Sequence, residues 1–463
     1  MDGLVGPIVI HSPSEKDHES VPYASDRVVM LQDWYYDLSS QLLMQKLSSG
    51  SESEPNPNGA LINGMNQVDC SLHPTRRCNS TSASLARFDL EPSQNHRLRF
   101  MNVGAFAWFE VTADRHFDIP VTEVDGNLIV PAPEDGVLVG PGQRYSMILS
   151  ATATNATIGD TFWLRARMLK HCFRENVLPE RGFTEVKGVI QYASGTAQVS
   201  QQSLVLPTTQ PDSGRYAVEC LDPPTDKYKP LVETPAPAYA HHSWHVRVTM
   251  QIGNWRLERG FLNQSSFRTK VESPTLHRAV EGLASKDAAF AIEGVNTAAF
   301  DSSHELVVSS KYPEVVDVIL QNFDEGNHPF HLHGHQFWVL GNGHGYFPGY
   351  EHFGLAPEGK GLLDTNNATS IANPLRRDVA TVEGYGWLFI RFVADNPGVW
   401  LFHCHVIFHG ESGMAMQFLS GIDALQKWTI PEANAQLCAS DVTELERGAV
   451  PKDEIFFGDH GDR

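Results

Sequence analysis

Short runs in which apolar and polar residues alternate recur along the chain. Examples are DRVVMLQDW at 26–34, HRLRFMNV at 96–103 and HVRVTMQIG at 245–253. Alternation with a period of two is typical of strands with one buried face, and turn signals such as Asp125-Gly126 separate the runs. The chain also contains 37 Gly and 28 Pro, which favour short strands joined by turns. The pattern therefore predicts an all-β protein, with one short helix between residues 35 and 49.

The predicted strands fall into two groups, separated by a segment rich in Pro, Thr, Gln and Ser. We predict a Greek-key β-sandwich at 21–193, a linker at 194–240 and a second Greek-key β-sandwich at 241–440. Residues 1–20 contain GPIVIH, which is typical of the end of a strand but has no fold before it. Residues 441–463 carry many charges, which predicts a solvated tail.

Composition narrows the class of protein. The chain has 463 residues, of which 41% are hydrophobic, and a formal net charge of −20. A folded protein is expected, and its negative charge disfavours partners such as nucleic acid or an anionic membrane. The sequence has no apolar window of roughly 18 residues, as a membrane helix requires.

The compartment is predicted from the sequons and from the start of the chain. Four sequons fit a secreted glycoprotein, at Asn79, Asn155, Asn263 and Asn367. No basic region precedes the first apolar run, as a signal peptide would require. We therefore expect an extracellular location for the full-length protein, with the signal peptide absent from this chain.

The stretch GVWLFHCHVIFHGESGMAMQF at 398–418 holds the densest chemistry in the sequence. It contains His403, Cys404, His405, His409 and Met414. On a strand, Cys404 faces one way and its two neighbouring histidines face the other, while the later residues follow in a glycine-containing turn. A Cys, a His and a weak Met ligand are three of the four groups of a blue-copper site. A core strand with incidental histidines, or a zinc site, are the weaker alternatives.

A second ligand-rich stretch, HPFHLHGH at 328–335, supplies further histidines. We predict that Pro329 interrupts regular pairing and lets His328 point to the Cys404 site as its missing ligand. His331 and His333 are two residues apart and therefore share a strand face. They are expected to join His403 and His405 in a separate imidazole site that suits copper or zinc.

We assign structural roles, and no metal-binding role, to the following histidines outside these two predicted sites. His335 has no assigned ligand role. AHHSWHV at 240–246 contains three histidines, and we interpret it as the start of a strand rather than as a metal site.

These motifs resemble the two C-terminal copper signatures of multicopper oxidases, most closely those of ascorbate-oxidase and fungal laccase-like members. RFVADNPGVWLFHCH at 391–405 resembles the sequence that connects the two signatures in the family, and ALINGMNQVDC at 60–70 resembles the middle cupredoxin domain. The resemblance covers nearly the whole chain. It implies cupredoxin-like sandwiches, four copper ions in the complete enzyme, and oxidation of a one-electron donor coupled to reduction of dioxygen to water. A phenol is the expected small-molecule donor, with ascorbate and Fe(II) as alternatives.

The resemblance also implies a role for each ligand. The type 1 copper would be bound by His328, Cys404, His409 and Met414, the type 2 copper by His331, and the type 3 pair by His333, His403 and His405. Cys404 with its two flanking histidines would carry electrons from one site to the other.

The sequence departs from the family in one respect. The family's first domain supplies HWHG and HSH motifs, which are absent here, and residues 1–20 resemble the end of that domain. We therefore expect a chain without most of the first cupredoxin domain. The alternative function is a type 1 copper protein that transfers electrons without oxidase turnover. The family further implies that Cys438 has its partner in the first domain, which leaves Cys70–Cys78 and Cys172–Cys220 as the pairs within this chain.

Overall fold

The computed structural model divides the chain into two compact units. Residues 2–438 are described, except 12–18, 52, 69, 73–76, 81–83, 152–153, 174–183, 194–204, 212–218, 254–255 and 364–368. Unit 1 comprises Met1–Leu38 and Asn56–Val232, and unit 2 comprises Ser39–Pro55 and Glu233–Arg463. The division after Val232 falls inside the segment that we predicted as a linker. The segment Ser39–Pro55 lies inside the predicted first sandwich in sequence but groups with unit 2 in space.

Unit 1 contains two β-sheets. Its strands are β1 (Ser25–Trp34), β2 (Gly59–Ile62), β3 (Ala86–Leu90), β4 (Asn95–Asn102), β5 (Phe109–Ala113), β6 (Ile119–Val124), β7 (Asn127–Glu134), β8 (Gly136–Val139), β9 (Arg144–Ser150), β10 (Thr161–Met168) and β11 (Glu185–Tyr192). One sheet has the order β2-β1-β4-β9-β6-β7 and the other β3-β11-β10-β5-β8. Val29 and Leu31 are fully buried on β1, as expected for alternate residues of a strand that faces a core.

Unit 2 is built in the same way, with helices added. Its strands are β12 (His242–Ile252), β13 (Glu258–Leu262), β14 (Gly294–Val295), β15 (Val307–Ser310), β16 (Glu314–Asn322), β17 (His328–Leu332), β18 (Phe337–His344), β19 (Arg376–Arg377), β20 (Val379–Val382), β21 (Gly386–Ala394), β22 (Gly398–Cys404) and β23 (Ala415–Ser420). Its helices are α1 (Ser39–Lys46), α2 (Thr275–Ala284), α3 (Thr369–Ala372), α4 (Ile407–Glu411), α5 (Ile422–Leu425) and α6 (Glu432–Cys438). The sheet orders are β13-β12-β16-β21-β18-β19 and β14-β15-β23-β22-β17-β20.

Aromatic side chains fill the space between the two sheets of unit 2. Phe392 of β21 contacts Phe418 of β23, with ring centroids 5.1 Å apart, and Phe330 of β17 lies 5.1 Å from Phe402 of β22. All four side chains are buried. Burial of such rings contributes strongly to a sandwich core, and this core lies directly behind the strands that carry the cysteine and the histidines.

The two units repeat one arrangement of strands. The first sheet of each unit contains one parallel pair of neighbouring strands, β1 with β4 in unit 1 and β12 with β16 in unit 2. The second sheet of each unit also contains one, β3 with β11 in unit 1 and β15 with β23 in unit 2. Together these sheets confirm the predicted all-β class with two cupredoxin-like Greek-key sandwiches.

Local predictions can also be compared with the structure. The short helix expected at 35–49 is present as α1 (Ser39–Lys46). Residues 2–11 do not form the predicted strand. Ile8 and Ile10 are 84% and 87% exposed, and a strand requires a hydrogen-bonded neighbour that this segment does not contact.

Two disulfide bonds join the cysteine pairs that the family resemblance implied. Cys70 bonds to Cys78, and Cys172 bonds to Cys220. The side chain of Cys438 and the predicted tail at 441–463 lie outside the described residues. No helix in the described part of the chain is long and apolar enough to span a membrane.

Candidate metal centre

Two neighbouring antiparallel strands present the cysteine and most of the histidines. Phe330 of β17 pairs with Cys404 of β22, and His331 pairs with His403. Directly paired residues share a face of the sheet and successive residues alternate. The pairing therefore places Cys404 on the buried face and His331 with His403 on the opposite face.

Our prediction for Pro329 was wrong. Pro329 is a regular member of β17, paired with Thr381 of β20. His328 reaches the buried face because it is three residues from His331 and strand residues alternate. Regular strand geometry, and not an interruption by proline, separates the two sets of ligands.

On the buried face, His328, Cys404 and His409 form a compact group that we call the inner cluster. The Cys404 Sγ lies 3.7 Å from His328 Nδ1 and 3.6 Å from His409 Nδ1, and the two Nδ1 atoms are 3.0 Å apart. The three residues are at most 7% exposed. A thiolate and two imidazoles that converge in a buried pocket fit a copper ion of the blue type.

The loop after β22 brings His409 and Met414 back to Cys404. Helix α4 turns the chain, and the Cys404 N–H donates to the Met414 carbonyl at 3.0 Å. Gly413 has a φ of +114°, and a Cβ there would lie 2.2 Å from Ser266 Oγ. A Cβ on Gly260 of β13 would likewise lie 2.8 Å from Met414 Cβ. Both positions require glycine for the loop to close with Met414 fully buried.

Two carboxylates contact the outer nitrogens of the inner cluster. Asp324 Oδ2 lies 2.9 Å from His328 Nε2, and Glu54 Oε1 lies 3.3 Å from His409 Nε2. A carboxylate that accepts the Nε2–H fixes the tautomer and leaves Nδ1 as the ligand atom. The contacts therefore orient both imidazoles towards the thiol.

Charges within the inner cluster favour the ligating form of the cysteine. Burial opposes ionisation of the Cys404 thiol, but contacts with His328 and His409 lower its pKa to about 7. Burial also opposes protonation of His409, yet Cys404 and Glu54 raise the pKa of this imidazole to about 10. A thiol with a lowered pKa is a ready metal ligand because the thiolate is the binding form.

On the opposite face, His331, His333, His403 and His405 form the outer cluster. Adjacent ring centroids lie 4.9 Å apart for His331 and His333 and 5.7 Å apart for His403 and His405. The Nε2 atoms of His333 and His403 are 3.1 Å apart. Four imidazoles at these separations fit a site for copper or zinc.

Backbone carbonyls orient two of the outer histidines, and burial keeps two of them neutral. His331 Nδ1 lies 2.9 Å from the Asp378 carbonyl, and His403 Nδ1 lies 2.9 Å from the Cys404 carbonyl. Burial lowers the pKa of His403 to about 3 and also lowers the pKa of His333. A neutral imidazole is the form that binds a metal. Because the carbonyl that His403 contacts belongs to Cys404 of the inner cluster, this hydrogen bond also links the two clusters.

A cavity of about 590 Å³ lies beside the outer cluster. His403 and His405 line it, together with the cationic side chains of Arg259, Arg268 and Lys270. Two histidines of the outer cluster are therefore open to a small molecule.

The surroundings of the histidines to which we assigned only structural roles can also be described. His335 packs between Phe392 and Trp400, with ring centroids 5.3 and 5.8 Å away. His242 begins strand β12, in keeping with the interpretation of AHHSWHV as the start of a strand.

Sequence reasoning missed Asp324 and Glu54. Asp324 precedes His328 by four residues, so an acidic residue just before the motif was a local signal that could have been used. Glu54 is 355 residues from His409 in sequence, and no pattern within its polar loop indicates that contact.

Replacing Met414 with leucine should keep the blue absorption of a copper-loaded chain and raise the reduction potential of the copper. The weak axial ligand tunes the potential of such sites, and leucine removes the thioether while keeping an apolar side chain. A redox titration measures the shift. Met416→Leu, at another buried methionine in the same strand region, is the control, and an equal potential in both variants would argue against Met414 as the axial ligand.

The fold and the two clusters define a copper protein of the cupredoxin type, and sequence comparison identifies the family. Two family models described as multicopper oxidase match residues 25–193 and 268–424. The matches together cover more than half of the chain, which therefore belongs to the multicopper oxidase family. Members of this family of oxidoreductases use type 1, type 2 and type 3 copper sites.

Several characterised relatives are similar along most of the chain. Laccase-1 of Cryptococcus neoformans is 28% identical, with 95% of this chain and 66% of the relative covered. The iron transport multicopper oxidase fio1 of Schizosaccharomyces pombe is 28% identical, with 97% and 63% covered. The crystal structure of a laccase from Botrytis aclada has a TM-score of 0.69 and 26% identity, with 90% and 67% covered. The chain thus spans about two thirds of the length of these relatives.

Proposed function

We propose that this chain carries the copper sites of a laccase-like oxidase that takes single electrons from a small donor and passes them to dioxygen, which is reduced to water. The type 1 ligands would be His328, Cys404, His409 and Met414. The type 2 ligand would be His331, and the type 3 ligands would be His333, His403 and His405.

One observation carries this proposal. Cys404 belongs to the buried inner cluster, and its two covalent neighbours, His403 and His405, belong to the outer cluster on the other face. When bound, copper supplies one-electron redox chemistry at the inner cluster and a place for dioxygen at the outer cluster. The peptide between Cys404 and His403 then offers a short covalent route from one to the other.

Side chains of the protein orient the ligands at the inner cluster and give access to the outer cluster. Asp324 and Glu54 hold the inner imidazoles in their ligating tautomer, and burial excludes water from the thiolate. His403 and His405 of the outer cluster line a cavity with room for a small molecule. These features support a donor side at the inner cluster and an oxygen side at the outer cluster.

Metal content and oxygen uptake test the proposal. The purified chain is reconstituted with copper, and copper content, blue absorption and dioxygen consumption with a phenol are measured. Four copper ions, a blue band and oxygen uptake would support the proposal. One copper ion with a blue band and no oxygen uptake would instead support the alternative, an electron-transfer protein without oxidase turnover. Metal binding without colour would support a zinc protein.

A cationic donor such as Fe(II) is a second candidate, favoured by Asp324. Its carboxylate contacts the His328 imidazole, at which a donor electron would enter, and carboxylates attract cations. Relatives named as iron transport oxidases are as similar to this chain as the laccases are.

Replacing Asp324 with asparagine separates the two donors. We expect oxidation of both donors to slow by about 10-fold or more, because an orienting contact to His328 is lost. Oxidation of Fe(II) should slow further than oxidation of a neutral phenol, because the lost charge matters most to a cation. Initial rates with both donors measure this, and Glu325→Gln is the control at the adjacent exposed carboxylate. Equal slowing with both donors would argue for a purely orienting role of Asp324 and would remove this support for a cationic donor.

We also propose that the protein is secreted and glycosylated. The asparagines of three sequons, Asn79, Asn155 and Asn263, are exposed, and the fourth, Asn367, lies outside the described residues. The two disulfide bonds also favour an oxidising compartment. Treatment of the natively expressed protein with an endoglycosidase should lower its apparent mass.

A further inference from the structure

A fully buried lysine lies behind the inner cluster. Lys46 is the last residue of helix α1, and its side chain is 0% exposed. Its Nζ lies 2.9 Å from Glu54 Oε1 and also contacts Glu258 Oε2 of β13. A buried ammonium is costly unless anions pair with it, so the two carboxylates and Lys46 form one interdependent group.

This group is joined directly to a ligand of the inner cluster. The Oε1 of Glu54 that contacts Lys46 is the same atom that lies 3.3 Å from His409 Nε2. Lys46 therefore holds one carboxylate oxygen at the outer nitrogen of a copper-binding imidazole.

The segment that carries Lys46 and Glu54 is attached to unit 2 at other points as well. The Gly50 N–H donates to the Arg256 carbonyl at 2.9 Å, and Arg259 Nη2 donates to the Leu47 carbonyl at 3.3 Å. Backbone contacts thus dock the segment as a whole, whereas Lys46 fixes the position of the Glu54 carboxylate itself.

We propose that Lys46 is a positioning residue that sets the reduction potential of the copper at the inner cluster by holding Glu54 on His409. This inference rests on the proposed function, because it requires a blue copper there. A carboxylate that accepts the Nε2–H makes a ligating imidazole a stronger donor, which stabilises the oxidised ion and lowers the potential. Without Lys46, Glu54 and Glu258 have no cation between them, and Glu54 is expected to turn away from His409.

A double-mutant cycle tests whether Lys46 acts through Glu54. Lys46→Met, Glu54→Gln, the double variant and the wild-type chain are loaded with copper, and the potential of the blue band is measured by redox titration. We expect each single variant to shift the copper equilibrium towards the reduced ion by roughly tenfold, or about 59 mV for one electron. The double variant should match Glu54→Gln, because its lysine has no carboxylate left to position.

Matched variants distinguish this role from a structural one. Lys311→Met removes a lysine that pairs with Glu293 and should leave the potential unchanged. Lys46→Arg keeps the charge and should restore a potential near that of the wild type. If Lys46→Met does not fold, Lys46→Gln replaces it, since glutamine retains a hydrogen-bond donor without the charge.

The outcomes separate this inference from the proposed function. A wild-type chain that binds copper without a blue band would overturn the proposed function. If the wild-type chain is blue but the Lys46 variants keep its reduction potential, only the role of Lys46 is overturned. The same holds if removing Lys46 shifts the reduction potential equally in the presence and in the absence of Glu54. The readout does not depend on oxygen turnover.

Discussion

Replacing Cys404 with serine is expected to abolish the blue absorption of the copper-loaded chain and to stop electron entry. The colour and the electron-transfer properties of such a site arise from the copper–thiolate bond, and serine supplies no thiolate. Cys404 is also the only free cysteine among the described residues, so within that part of the chain no second thiol is available to replace it. The visible spectrum, copper content and initial rate of donor oxidation measure the effect.

The control is the same substitution at Cys438, which should leave the band intact. Serine is close to cysteine in size, so Cys404→Ser should keep the fold of the buried inner cluster, and circular dichroism checks this. A folded Cys404→Ser variant that retained the blue band would show that Cys404 does not bind the copper. It would then remove the main support for the proposed function.

The placement of Cys404 between two histidines could be predicted from sequence because the three residues are covalent neighbours. A strand alternates its side chains whatever its partners are, so the opposite faces of Cys404 and His403 follow from the sequence HCH alone. The position of His328 could not be predicted from neighbouring residues, because it is 76 residues from Cys404. It was predicted only because a blue-copper site needs a fourth ligand. The prediction of its side was correct, although the reason given, an interruption at Pro329, was not.

The carboxylate surroundings of the inner cluster could not be predicted in this way. Glu54 lies in a polar loop, SGSESEPNPNG, whose composition indicates only a flexible segment. Its contact with His409 depends on the docking of α1 and the following loop onto unit 2, which the buried Lys46 stabilises. Such docking is decided by tertiary contacts, and local sequence patterns do not report them.

The repetition of the fold shows which part of the prediction depended on the metal motifs. Strands β5 and β10 of unit 1 pair as β17 and β22 do in unit 2. Their sequences, FEVTA and TFWLRARM, contain neither histidine nor cysteine. The sandwich is therefore specified by alternating apolar residues and turns, and the cysteine and histidines of the two clusters are an addition to one of two similar frameworks.

Unit 2 has a further feature with a large expected effect on stability, a buried ion pair between neighbouring strands. Arg391 of β21 lies opposite Asp317 of β16, and its Nε and Nη2 donate to the two carboxylate oxygens at 2.5 and 2.7 Å. Both side chains are 0% exposed. Arg391 also donates to the Pro237 carbonyl, so it attaches the segment before β12 to the sheet.

Replacing Arg391 with methionine should lower the free energy of unfolding by about 3–5 kcal/mol, because it leaves the Asp317 carboxylate buried without a cation. The double variant Arg391→Met with Asp317→Leu should recover much of this loss, since no uncompensated charge then remains. Urea unfolding followed by tryptophan fluorescence measures both values. Lys311→Met, which removes a solvent-exposed ion pair with Glu293, should change the free energy of unfolding far less, because water screens such a pair. A loss of similar size in the single and double variants would mean that the contact with Pro237, rather than the buried charge of Asp317, accounts for the contribution of Arg391.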